Sequence, residues 1–241
     1  MAFEHICSYI REGVTEKQIA AEIDSFMKKN GADDIAFSTI AASGTRASLP
    51  HAVPTDEKVK KGDFIVLDYG CTVKGYCSDM TRTVAVGEVS DEKREIYNRV
   101  LEAQLMALDS LKAGVSGEYV DKVARDYLDT HYKNAFAHSL GHSVGLYIHE
   151  APNLSPRNKN PLKENTVIKV IVSKGIEKVT ITFSGFSKGY LCKKICKFSK
   201  HFLKTIYIGG GTPTSLDIDE LTILLNITNN RYSKGKTTWQ R

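Results

Sequence analysis

A repeated unit restricts the fold of this chain more than any other feature. GVTEKQIAAEIDSFM, from Gly13, and GVSGEYVDKVARDYL, from Gly114, share a Gly-Val-Ser/Thr opening, and Ile19, Phe26 and Met27 of the first match Val120, Tyr127 and Leu128 of the second. Each copy runs into a Phe-led, strand-like segment, FSTIAASG and FAHSLGHSVG. In the first copy Thr15 and Gln18 have capping-box spacing, and Ile19, Ile23, Phe26 and Met27 line one helix face up to Gly31. In the second, Ser116 opens a helix whose apolar side is Val120, Val123, Ala124, Tyr127 and Leu128. Two helix-then-strand units predict an α+β domain with pseudo-two-fold symmetry and a site between its halves. A chance likeness of two amphipathic helices is the alternative.

Between the copies, a further helix begins near Ser90, carries Asp91 and Glu92 in its first turn and Tyr97, Val100, Leu101, Leu105 and Leu108 on a stripe, and stops by Gly114. Before it, residues 63–86 (DFIVLDYGCTVKGYCSDMTRTVAV) alternate in β-branched and aromatic residues around Lys74-Gly75, which predicts a hairpin with a two-residue turn. That turn sets Asp68 opposite position 81 and makes Asp79 its diagonal neighbour on the same face. Two bare carboxylates on a half-buried sheet repel each other, and each costs several kcal/mol if unpaired. A cation between them removes the problem, although a solvated or turn-capping Asp remains the alternative.

Three imidazoles, His138, His142 and His149, fall within FAHSLGHSVGLYIHEAP. The i, i+4 spacing of His138 and His142 is that of a helical zinc pair, but Gly141 and Gly145 argue against a helix and for a strand or bulge that another group approaches closely. Each His taken alone is more often structural. A mixed carboxylate and imidazole set suits Mn, Co, Fe or Zn better than Mg alone.

The run SGTRASLPHAVPTDEKVKKGDFIVLDYGCTVKGYCSDMTRTVAVGE, the segment GHSVGLYIHEAPNLSP and the phrase LKENTVIKV together resemble the Xaa-Pro dipeptidase and proline aminopeptidase branch of the pita-bread metallopeptidases, over about residues 1–170. The resemblance implies a curved antiparallel sheet flanked by helices and the removal of an N-terminal residue from short peptides with proline second. It implies that Asp68 and Asp79 hold two divalent ions, Mn or Co or else Zn or Fe, with His142 as a further ligand. It also implies that His51 and His149 contact substrate and move protons, and that His138 stands at the mouth of the site. By the resemblance, the sequence is expected to start near the helix that leads into the catalytic domain of such enzymes, without the domain that usually precedes it.

Two Glu ligands that the resemblance requires are harder to find. The first belongs in a TVEPG-like strand after LKENTVI, where Ile171 stands in its place, followed by Val172 and Ser173. GIEKVTIT resembles the second motif and makes Glu177 the remaining ligand, so that one metal at most should bind well. Further on, LCKKICKFSKHFLKTIYIGGGTPTSLDIDELTILL resembles a piece of radical S-adenosylmethionine proteins related to coproporphyrinogen oxidase, about residues 190–226. Those proteins hold an iron–sulfur cluster through three cysteines. Only Cys192 and Cys196 are present here, with Ser199 in the third place, so a radical enzyme is rejected.

The charge distribution separates the same two parts. Residues 166–241 carry 13 Lys and Arg against 4 Asp and Glu, which leaves 20 against 24 for residues 1–165. The expected organisation is a catalytic domain over 1–170 and a basic tail over 171–241, the latter joined from another gene fragment. The alternatives are a non-catalytic pita-bread module that binds peptides or a partner protein, and a gene-fusion remnant without function. The basic tail lacks a nucleic-acid motif, so a nucleic-acid partner is disfavoured, and a homodimer stays open. Five scattered cysteines and the absence of any long apolar run place the chain in the cytoplasm, off the membrane.

Overall fold

The computed structural model describes residues 1–173. The expectations placed on Glu177, on Cys192 and Cys196, on the glycine phrase and on the helix Ile218 to Leu225 lie outside the described residues. In chain order the elements are α1 (Ala2–Tyr9), α2 (Glu16–Lys29), β1 (Asp34–Ile35), β2 (Ile40–Ser43), a 3-10 turn (Gly44–Ser48), β3 (Phe64–Tyr69), β4 (Cys71–Val73), β5 (Tyr76–Cys77), β6 (Met80–Ala85), α3 (Asp91–Ser110), α4 (Gly117–His131), β7 (Gly141–Ser143), β8 (Glu150–Leu154) and β9 (Ile168–Val170).

The two halves are built alike, and the likeness begins where α2 and α4 start. Thr15 accepts from Gln18 N and its own N–H donates to the Gln18 side chain, the reciprocal bonds of a capping box. Ser116 accepts from Tyr119 N in the matching position. Gly13 N donates to Val59 O and Val59 N to Val14 O; Gly114 N donates to Leu162 O and Leu162 N to Val115 O. The cap residues form matching bridges, Thr15 with Lys58 and Ser116 with Pro161. Both helix starts are therefore fixed by the same backbone bonds, which two unrelated amphipathic helices have no reason to share.

The sheets follow the same plan. Strand β2 pairs antiparallel with β3, Ala41 opposite Leu67 and Ala42 opposite Val66, and β7 pairs antiparallel with β9, Gly141 opposite Val170 and His142 opposite Lys169. This equivalence sets VKKGDFIVLD, from Val59, against LKENTVIKVI, from Leu162, so that Ile171 takes the position that Asp68 holds in the first half. Each half then covers its sheet with helices. Ile6, Ile19, Ile23 and Met27 close over Ile65, Leu67 and Tyr69, and Val100, Val120, Ala124 and Leu128 close over Leu140, Leu154, Ile168 and Val170. At about 25 cal/mol per Å2 of apolar surface, these two cores supply most of the drive for folding.

The hairpin over residues 63–86 forms with the expected register and an added bend. Asp68 lies opposite Thr81, and Lys74 and Gly75 take the positive φ values, 49° and 82°, of the two-residue turn. The ladder breaks into β3–β6 and β4–β5 at Gly70, where a Cβ would stand 1.9 Å from Ser78 O, so only glycine permits the crossing. Helix α3 ends at Ser110, short of Gly114, with Leu111 as its cap. Among the described residues no helix is long and apolar enough to cross a membrane, and Cys7, Cys71 and Cys77 are free thiols.

Candidate functional site

Strands from both halves present their polar residues to one place. Asp68 faces it from the penultimate position of β3, and Asp79 from the turn that leads into β6. Asp79 is 3% exposed and Asp68 21%. The Thr81 hydroxyl, itself buried, donates to Asp68 Oδ1 and fixes that carboxylate against the sheet. From the other half comes His142 on β7, at a register shift between His142 and Ser143. The strand with a bulge expected from the flanking glycines is present, and the group that approaches closely is backbone: a Cβ on Gly141 would stand 1.9 Å from Lys169 O.

The protonation of His142 follows from its partner. Its Nδ1 lies 3.0 Å from Ser143 O, and a carbonyl only accepts, so Nδ1 carries the hydrogen and Nε2 turns its lone pair to the carboxylates, 3.6 Å from Asp79 Oδ2. Burial lowers the His142 pKa to about 4, with the Lys169 and His149 charges adding to the fall, so the ring is neutral near pH 7. Two carboxylates and a bare imidazole nitrogen are the donor chemistry of a divalent cation.

A cation already stands among them, and it belongs to the chain. Lys169 on β9 is 2% exposed, and its Nζ donates to Asp68 Oδ1 at 3.0 Å and to Asp79 Oδ1. The Phe37 ring lies 5.9 Å from the same ammonium. Burial works against the charge on Lys169, but the two carboxylates outweigh it and hold its pKa above the ordinary lysine value. Burial pushes Asp79 upward, against the pull of Lys169. No group of three or more His, Cys, Asp and Glu side chains among the described residues is set around a common point as metal ligands would be. The donors suit a metal; the space between them does not fit one while Lys169 fills it.

Of the other predicted histidines, one adjoins His142 and two lie farther out. His149 is exposed and packs edge-on against His142, ring centroids 4.4 Å apart. His138 is half-buried; its Nδ1 donates to Ser139 O at 2.8 Å and its Nε2 meets the Ser173 hydroxyl. Burial lowers its pKa, and the charges of Arg125 and His51 contribute to the fall. His51 is exposed on the segment between the 3-10 turn and β3. Asp68, Asp79, His142 and His149 thus come together, with His138 and His51 toward the outside.

Comparison with known proteins decides the family. A sequence profile of metallopeptidase family M24 matches residues 1–196. The chain belongs to that family. It is 44% identical over 162 residues to the Xaa-Pro dipeptidase of Pyrococcus furiosus, an alignment that takes in 67% of this chain and 47% of that protein. The structure resembles the Xaa-Pro dipeptidase of Bacillus anthracis, with a TM-score of 0.73 and 46% identity over 76% of this chain and 52% of that one. It also resembles an X-Pro aminopeptidase of Thermotoga maritima, with a TM-score of 0.73 and 47% identity over 76% and 52%. The fold is the pita-bread fold, and the chain spans about half the length of the relatives it matches. Family M24 enzymes are metal-dependent, so divalent ions belong to the family's chemistry. The likeness of residues 190–226 to radical S-adenosylmethionine proteins finds no support in these comparisons.

Lys169 is the site residue that sequence reading missed. The signal was in the repeat: continuing it past the helices sets Ile171 against Asp68 and leaves Lys169 two positions earlier, on the same face by the period of two.

Proposed function

We propose that this chain carries the metal- and peptide-binding part of an Xaa-Pro peptidase, which removes the N-terminal residue from short peptides with proline second, and that its activity is much reduced. In this reading residues 1–170 form the catalytic unit, residues 171–241 a basic appendage, and Asp68, Asp79, His142 and Glu177 descend from the metal ligands. The observation that carries it is the convergence of Asp68 and Asp79 from one half with His142 from the other. The reduction is supported by Ile171, an apolar residue in the position that Asp68 occupies in the first half, and by Lys169 among the donors. Peptide handling falls to the outer residues. One ammonium against two carboxylates leaves net negative charge, which favours the free amino group of a short peptide. In this reading His149, exposed and edge-on to His142, holds or passes a proton at the scissile amide.

Hydrolysis of Ala-Pro and Gly-Pro, followed by chromatography with and without added Mn2+, tests the proposal. Slow cleavage that disappears in Asp79→Ala is expected; cleavage unaffected by that change would defeat it. The buried ammonium favours a second reading, a module that binds such peptides without cutting them. That reading predicts saturable peptide binding in calorimetry and no product.

A further inference from the structure

Two buried carboxylates outside the site are accounted for by their own neighbours. Glu16 is held by Ser43, Arg46 and Thr55, and Asp121 by Arg125 and the Leu140 N–H. Lys169 lies between Ile168 and Val170, which join the core, and itself faces the carboxylates, so core packing does not call for a lysine at that position.

We propose that the Lys169 ammonium is the chain's own replacement for the metal cation and keeps divalent ions off the Asp68–Asp79 pair. The proposal rests on the reading that this pair descends from the family's metal position. Lys169 lies opposite His142 in the β7–β9 register, so the strand pair that presents the imidazole also delivers the ammonium. Its Nζ donates to Asp68 Oδ1 and Asp79 Oδ1 and stands over the Phe37 ring, 5.9 Å from its centroid. Two carboxylates and one ammonium leave a single net negative charge, whereas adding a divalent ion would place three positive charges against two negative and set the metal and the ammonium against each other at close range. Expelling the ammonium first would strand a lysine that is 2% exposed, on a strand whose pairing with β7 is extended by the Ile171 N–H to Leu140 O bond. Ile171, on the same face, offers no oxygen that would compensate an incoming metal. The metal site has thereby become a closed ion triad within the family's scaffold.

The test is Mn2+ titration of the full chain by calorimetry and by thermal melting, beside Lys169→Thr and Lys169→Met. The wild-type chain should bind Mn2+ too weakly to give measurable heat, and its melting temperature should be indifferent to Mn2+ or chelator. Each variant should bind Mn2+ and melt higher with it, and its affinity should exceed that of wild type by more than the roughly 10–100-fold that a ligand's supporting partners are worth. Adding Asp79→Ala to either variant should abolish the gain. Wild-type binding of one Mn2+ per chain that Asp79→Ala removes would overturn the proposal, as would a folded Lys169→Thr that gains no affinity. If neither variant folds, the wild-type titration decides alone. Assay on Ala-Pro separates this claim from the peptidase reading: a variant that binds Mn2+ and cleaves nothing defeats the peptidase reading alone, and a wild-type chain that binds Mn2+ and cleaves defeats the ammonium proposal alone.

Discussion

Two buried clusters of negative charge sit in the same half of the molecule and are neutralised in opposite ways. Glu16, fully buried at the start of α2, accepts from Ser43 N at 2.7 Å, Thr55 N at 3.0 Å, the Thr55 hydroxyl at 2.8 Å and Arg46 Nε at 3.0 Å. Every partner lies within its own half, between residues 43 and 55. Asp68 and Asp79 also belong to that half, yet their positive charge arrives from Lys169 in the other. The first cluster ties a helix to a loop and is complete within itself. The second keeps two carboxylates on one face that their own half cannot neutralise, which is the condition of a place built for a separate cation.

Changing each cluster sharpens the contrast. Asp79→Ala should have the largest effect, about 3–5 kcal/mol in denaturant unfolding, because it leaves a fully buried ammonium with half its compensation. A loss below about 1 kcal/mol would mean that Lys169 finds water when its partner is removed, and the cluster would then resemble a surface pair.

Glu16→Gln should cost less, about 1–3 kcal/mol, since the amide keeps the shape but turns a donor toward the Arg46 and Thr55 donors. It should also change the acid limb of stability. Burial alone would raise the Glu16 pKa, but the bonds from Ser43, Thr55 and Arg46 lower it below the ordinary value. A carboxylate whose pKa is lower in the folded chain stabilises above its unfolded pKa and loses that contribution as pH falls through the folded one. Stability measured from about pH 5 downward should fall more steeply in wild type than in Glu16→Gln. Equal slopes would remove Glu16 as the source.

The smallest effects concern the equivalence of the halves. Thr15→Ala and Ser116→Ala should each cost about 1 kcal/mol, the worth of a helix cap. Thr15 should cost somewhat more, because its box has two bonds where Ser116 has one. A negligible loss at one site alone would show that the matching backbone bridges, rather than the caps, hold the helix starts.

What the sequence revealed, and what it did not, follows the range of the interactions. A two-residue turn fixes register, so the placement of Asp79 diagonal to Asp68 could be read from Lys74-Gly75 alone, and the helices announced themselves through caps and spacing. Helix α1 gave no such sign: its N-cap is Met1, without a side-chain bond. Of the site, Asp68, Asp79, His142 and His149 were legible because chemistry and spacing mark them. Lys169 was not, because a lysine in a strand is ordinarily a solvated residue, and its burial depends on partners 101 and 90 positions earlier in the chain. The sequence reading set a cation between the two aspartates but did not foresee Lys169, whose ammonium lies on both of them.

Acetylation of the native full chain, mapped lysine by lysine by mass spectrometry, tests that point most directly. Lys17, Lys60 and Lys122, which pair on the surface, should react readily, and Lys169 should stay unmodified until the chain unfolds, with or without Mn2+. Modification of Lys169 in the folded chain at the rate of those surface lysines, or on addition of Mn2+, would contradict an ammonium held between Asp68 and Asp79.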